Sequence, residues 1–329
     1  MKARKILVAV KNLEARSLPA VLKAAQIARA SGAEIELFHA LAEPIYLDVY
    51  ELSKMGADAV EEQLKQRARQ RLEAIADRLR VHSIRVSISV GWDFPVYEAI
   101  VRQAVKSNSD LIVAQRYGGK HTAAALMQLT DWELIKISPV PILLVKSVRP
   151  YRHPAVLAAV DPGHRFAKTS QLDRSILRAG GLLSRQLRGT LHAVYGYDAV
   201  SPAGLSEAMS GRVIDVLDRE SRRAAAVRFE QTLGSHRIAR SRRYLLAARP
   251  IDAIAEAARR SRSAIVVMGA VSRSGLKRLL IGNTAERILD ALTCDVLVVK
   301  PDGFRERLSR IQRGSRLRVA APTNTLGYY

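Results

Sequence analysis

One cysteine, Cys294, stands in 329 residues, so no internal disulfide can form and the cysteine framework of a small secreted domain is excluded. Long apolar runs are missing too: the opening MKARKILVAV reaches five apolar residues before Lys11 and Asn12. That is short of a signal peptide's apolar region and far short of a membrane span, so a cytoplasmic location without a membrane partner is expected. Aromatic residues are scarce, at 5%, and do not interleave with a basic stripe, which removes the stacking platforms of single-strand binders. Trp92 and Trp132 therefore read as packing residues. No His or Cys cluster has zinc spacing. No Gly-x-Ser-x-Gly elbow, P-loop or Gly-x-Gly-x2-Gly fingerprint lies where a strand meets a helix, so a dedicated hydrolase or dehydrogenase is not expected. The string from Ser274 to Lys277 matches Ser-x-x-Lys, but the companion motifs of that acyl-transfer chemistry are absent.

What remains is an ordinary globular composition, 48% apolar and 26% charged, in a chain long enough for about two domains. The charge is lopsided: 53 Lys and Arg against 31 Asp and Glu leave a net +22, which draws polyanions by counterion release. Along EEQLKQRARQRLEAIADRLR the basic residues lie mostly opposite the apolar stripe, as a solvated face would. No groove-reading motif accompanies them, so nucleic acid is not expected as a partner.

The two halves of the chain superimpose on each other. Ile6-Leu7-Val8-Ala9-Val10 matches Val156-Leu157-Ala158-Ala159-Val160 at an offset of 150, and Leu143-Leu144-Val145-Lys146 matches Leu297-Val298-Val299-Lys300 at 154. Each half alternates β runs with helical spacing. In the first half the β runs are 5–10, 34–40, 84–90, 110–114 and 141–146, short and rich in Ile, Val and Leu, as strands buried on both faces are. Helical spacing places Val96, Ile100, Val101 and Val105, and likewise Ile251, Ile254, Ala255 and Ala258, on faces that cover the sheet. Parallel strands need helical crossovers, so the fold class is α/β, two tandem doubly wound, mostly parallel five-stranded sheets. The expected domains are residues 1–148 and 154–301, joined where Pro150 and Pro154 interrupt the pattern, with a basic tail over 302–329. His39 and His192 occupy equivalent places after the second strand of each half and read as duplicated structural positions, not a metal pair.

The stretch AIVVMGAVSRSGLKRLLIGNTAE, from Ala264 to Glu286, runs from a strand through glycines and hydroxyls into a new helix. Gly269 and Gly275 allow turns at positive φ, and Gly282 lets main-chain amides approach a ligand. Asn283 or Thr284 can cap the helix, with Glu286 completing a capping box. Free amides, the helix dipole and the cations Arg273, Lys277 and Arg278 make this a physical anion site. An ordinary strand-to-helix connection also needs glycine, and spacing alone does not separate the two readings.

This stretch resembles the universal stress protein family, whose nucleotide-binding members carry Gly-x2-Gly-x9-Gly-Ser/Thr after the fourth strand. Gly269 takes the first position, Ser272 stands for the second glycine, and Gly282 and Asn283 stand for the closing pair, so two of four positions depart from the pattern. The resemblance covers about residues 4–301. It implies the adenine-nucleotide alpha-hydrolase-like fold and a stress-induced regulatory protein. It also implies halves packed as a pseudo-dimer that can pair further into a homodimer, and an adenine nucleotide, ATP with Mg2+, as ligand. Gly282, Asn283 and Thr284 would then meet phosphate oxygens, with Ser272, Arg273 and Gly275 in the same loop, and Asp161 would sit near adenine or ribose. From turn chemistry alone, Asp161-Pro162-Gly163 is equally a simple turn. In the first half Gln115, Gly118, His121 and Gln128 replace the loop positions and Lys11 stands at the place of Asp161, so that half is not expected to bind nucleotide in the usual way. Thr130-Asp131-Trp132-Glu133 remains there as a capping box. No residue is an identifiable general base, which leaves slow ATP hydrolysis at most. A module that binds protein partners or another small ligand without nucleotide is the alternative.

Overall fold

The computed structural model describes residues 3–41, 57–93, 95–116, 131–163, 170–198, 211–234, 236–270 and 283–301. The first half supplies β1 (Lys5–Ala9), β2 (Glu34–Leu41), β3 (Val86–Trp92), β4 (Leu111–Gln115) and β5 (Ile142–Val145). The second supplies β6 (Ala155–Ala159), β7 (Thr190–Tyr197), β8 (Arg243–Ala247), β9 (Ile265–Gly269) and β10 (Asp295–Val299). Each strand of the first half lies within two residues of its expected place.

Both sets are parallel and doubly wound, but they are not two sheets. They form a single ten-stranded sheet in the order β3-β2-β1-β4-β5-β10-β9-β6-β7-β8. The junction is antiparallel, with Val296 opposite Leu144, Leu297 opposite Leu143 and Val298 opposite Ile142. Each set ends on an apolar strand whose outer edge carries unpaired amides and carbonyls, and joining the two edges satisfies both. Leu143 and Leu297 are equivalent positions of the repeat and face each other, so a local two-fold axis passes between them. The carboxyl ends of the strands therefore open at opposite ends of the sheet in the two halves.

Alternation along the buried strands divides the core. Ile6 and Val8 face one layer and Leu7 the other, all fully buried. Helices Pro19–Ser31, Ala57–Arg80, Ser170–Gln186 and Gly211–Leu233 cover the first layer; helices Val96–Lys106, Pro250–Arg260 and Asn283–Ala291, with the turn of helix at 131–137, cover the second. Proline opens Pro19–Ser31 and Pro250–Arg260 where its missing N–H costs nothing, and Gly32 at φ 74 closes the former. Ile100 and Val101 are buried as the spacing predicts, but Val105 is 51% exposed. It lies in the last turn of its helix, about 100° around the axis from Ala104 and so turned away from the buried face formed by Ala99, Ile100, Val101 and Ala104. Trp132 is buried in the core. No helix among the described residues is long and apolar enough to cross a membrane.

A polar network crosses the junction. Asp295, fully buried at the start of β10, pairs with Lys23 of helix Pro19–Ser31, itself 2% exposed. It also accepts hydrogen bonds from the Tyr151 hydroxyl (2.6 Å) and the Lys146 and Ser147 amides (2.8 and 2.9 Å). Burial, followed by the Asp295 charge, pushes the Tyr151 phenol well above its ordinary value. The last residue after each terminal strand reaches across: Lys146 Nζ donates to the carbonyls of Leu289 and Leu292, and Lys300 Nζ to Lys136 O at 3.5 Å. Each ammonium thus caps the carboxyl-terminal turn of the other half's last helix.

Candidate functional site

In each five-stranded set the winding reverses beside the first strand, between β1 and β4 and between β6 and β9. Crevices outside the carboxyl ends of strands at such reversal points are where open α/β sheets hold ligands. In the second half the crevice lies between the residues following β6 and those following β9.

Asp161 sits two residues past β6 and is 9% exposed. Its amide donates to Asp173 Oδ1 at 3.1 Å, which ties the turn to the first turns of helix Ser170–Gln186. Its own Oδ2 is buried without a hydrogen-bond partner among the described residues. A buried, unanswered acceptor at a strand-end crevice is paired when a donor-bearing ligand arrives.

Gly269 ends β9 in extended backbone, and the only positive-φ glycines among the described residues are Gly32 and Gly234. The expected positive-φ role is thereby corrected. A Cβ at Gly269 would lie 2.5 Å from Leu172 Cδ2, so glycine is needed here to admit the Leu172 side chain. Asn283 and Thr284 are the first residues of helix Asn283–Ala291. Ser272, Arg273, Gly275 and Gly282 lie outside the described residues, as do Lys277, Arg278 and the tail 302–329.

The first-half crevice is built from charge. Lys11 follows β1 at the place of Asp161, and Arg116 follows β4 at the place of Ala270. Burial raises the Asp131 carboxyl to about 6 against the opposing pull of Arg116 and Lys11. Desolvation lowers Lys11, with Asp131 pulling the other way. Arg116 is 7% exposed and pairs through Nη2 with Asp290 Oδ1 at 2.5 Å, while its Nη1 is buried without a hydrogen-bond partner among the described residues. Charges of alternating sign thus run from Lys11 through Asp131 and Arg116 to Asp290 on the second half's last helix. Gly118, His121, Gln128 and Thr130 lie outside the described residues.

Two histidines change their reading. His192 pairs with Leu157 as Glu36 pairs with Leu7, so His192 matches Glu36, and His39 matches Tyr195. Both histidines lie within strands; His39 Nδ1 contacts Val10 O at 2.7 Å and His192 stacks on Tyr244. Among the described residues no group of three or more His, Cys, Asp or Glu could hold a metal. Lys23, Asp173 and Asp295 escaped the sequence reading. The usable signal was a charged residue on an otherwise apolar helix face: Lys23 among Ala20, Val21, Ala24 and Ile27, and Asp173 beside Leu172, Ile176 and Leu177.

Comparison with known proteins accords with this architecture. A profile of the universal stress protein family matches residues 2–146 and again 155–300. Universal stress protein E of Photorhabdus laumondii is 25% identical over 300 residues, covering 87% of this chain and 91% of that protein. Its counterpart in Escherichia coli K12 is 24% identical over 291 residues, with the same coverage of 87% and 91%. The crystal structure of a functionally unknown protein from Pseudomonas aeruginosa PAO1 superimposes with a TM-score of 0.68 at 24% identity, covering 93% of this chain and 95% of that one.

Proposed function

Since this chain belongs to the universal stress protein family, matched once in each half, we propose that it is a stress-response regulatory protein whose second half takes an adenine nucleotide, ATP with Mg2+. The observation that carries the proposal is the Asp161 carboxylate, buried at the reversal point with one oxygen unanswered. The exocyclic amine of adenine or a ribose hydroxyl supplies the donor that oxygen lacks. The amino end of helix Asn283–Ala291, with Gly282 before it, would take the phosphates, and Mg2+ would enter as the triphosphate's counter-ion. Occupancy would be felt across the junction, because the other end of that helix is tied to the first half through Asp290–Arg116 and the Lys146 contacts. In the first half, cationic Lys11 and Arg116 stand at the strand ends, and the usual nucleotide mode is not proposed there.

Calorimetry with ATP, using Gly282→Glu as control, tests this reading. Binding to the natural chain that the variant loses is expected; no binding at millimolar ATP eliminates it. A second reading, an interaction module that works through protein partners or another ligand, is favoured by one observation: Leu172 accounts for Gly269 without a nucleotide. Retained partner binding in Gly282→Glu would support that reading.

A further inference from the structure

Arginines are paired with acids on several outer elements of both halves, among them Arg243 with Glu230 and Arg260 with Glu256 in the second. On the first half's long outer helix, Ala57–Arg80, most cations are matched: Lys65 with Glu61 (2.5 Å), Arg69 with Glu62 (3.0 Å), Arg71 with Glu14 (3.1 Å), and Arg80 with Glu73 and Asp77 (2.6 and 2.7 Å). In the second half, helix Ser170–Gln186 and the segment 234–243 together hold seven arginines and one acid, Asp173, which is 2% exposed and turned inward.

Arg174, Arg178 and Arg185 are exposed and lie within about 40° of one another around the helix, a stripe about 16 Å long at 1.5 Å per residue. Arg237, also exposed, follows His236 in the chain, and His236 lies close enough to Arg185 and Arg178 to feel both charges, after burial, as a depression of its pKa. None of these four arginines makes an ion pair among the described residues. Unmatched charge of one sign on a straight, rigid element keeps its field, whereas matched pairs cancel theirs at a distance.

From this juxtaposition we propose that the outer face of the second half, along Arg174, Arg178, Arg185 and Arg237, is a docking surface for the phosphate backbone of duplex nucleic acid, read without sequence preference. The straight stripe suits a rigid duplex, which presents one charge per ~1.7 Å of axis. Large exposed apolar side chains are absent from helix Ser170–Gln186 among the described residues, so a membrane surface has nothing there to embed. Readout stops at the backbone because no exposed aromatic joins the stripe to stack on bases.

The test is fluorescence anisotropy with a labelled mixed-sequence 20-bp DNA duplex, using the full chain so that the basic tail is common to all variants. Four phosphate contacts contribute about −3.6 to the slope of log K against log salt, an affinity loss of roughly 150-fold between 50 and 200 mM. Arg174→Gln/Arg178→Gln/Arg185→Gln should make the measured slope shallower by about 2.7. The charge-matched control Arg67→Gln/Arg69→Gln/Arg71→Gln should leave it unchanged, with circular dichroism confirming that both fold. No duplex binding at 50 mM salt, an unchanged slope in the first triple variant, or an equal loss in the control overturns the proposal. Binding of phosphatidylserine vesicles through the same arginines without duplex binding overturns it in favour of a membrane.

Discussion

Removing the Asp295 carboxylate, as Asp295→Ala, tests whether the halves are energetically one body. Asp295 is fully buried and Lys23 is 2% exposed. Truncation strands the Lys23 ammonium away from water, at a cost of about 3–5 kcal/mol. It also deprives the Tyr151 hydroxyl and the Lys146 and Ser147 amides of their acceptor, which adds about 1 kcal/mol in all once partial rehydration is allowed for. A loss of about 4–6 kcal/mol is therefore expected, a large share of the ~5–15 kcal/mol by which domains are stable. Chemical denaturation followed by tryptophan fluorescence reads it directly, because Trp92 and Trp132 both lie in the first half while Asp295 opens the last strand of the second. The tryptophan transition should move to lower denaturant. Lys23→Met combined with Asp295→Asn should cost at least about 2 kcal/mol less than the two single changes summed. A tryptophan transition that stays in place, or single changes that simply add, would refute the claim that this buried pair ties the halves together.

Three further outcomes follow from the geometry. Gly269→Ala forces a methyl against Leu172 and should destabilise the fold by about 1–3 kcal/mol, with Leu172→Ala restoring part of the loss in the same thermal melt, since the clash is between those two groups. Asp131 titrates near 6 when folded against 3.8 unperturbed. The folded state thus holds that proton more tightly, and stability falls as pH rises from about 4 through 6. Asp131→Asn should accordingly gain about 1–3 kcal/mol at pH 7.5 and nothing at pH 3.5, measured by urea unfolding at both. Asp161→Asn keeps the side chain's shape but turns one acceptor oxygen into a donor and removes the charge, and should weaken ATP binding about tenfold or more in calorimetry; unaltered affinity would remove Asp161 from the proposed site.

The strands were legible because they are buried on both faces and so are written as continuous Ile, Val and Leu runs. Strand limits moved by at most two residues, where the last apolar side chain no longer marks the last ladder bond. Helical faces were legible to within their end turns, as Val105 shows. Asp161 was picked out through its family resemblance, while the string Asp161-Pro162-Gly163 equally allows a simple turn; only the structure shows one of its carboxylate oxygens buried without a hydrogen-bond partner among the described residues. Gly269 was singled out correctly as a constrained position, with the wrong constraint: the string carries no trace of Leu172, 97 residues earlier in the chain. His39 and His192 were mispaired because similar neighbours in sequence do not fix ladder register, which depends on the hydrogen-bonded partner strand.

By itself the sequence determined the repeat, the α/β alternation and the family, since these are carried by local periodicity and by motifs within one stretch of chain. Only the tertiary structure decided how the copies join, which charges are matched and which are left bare. The β5–β10 edge and the Lys23–Asp295 pair depend on distances between residues far apart in the chain, and no local pattern encodes a distance of that kind.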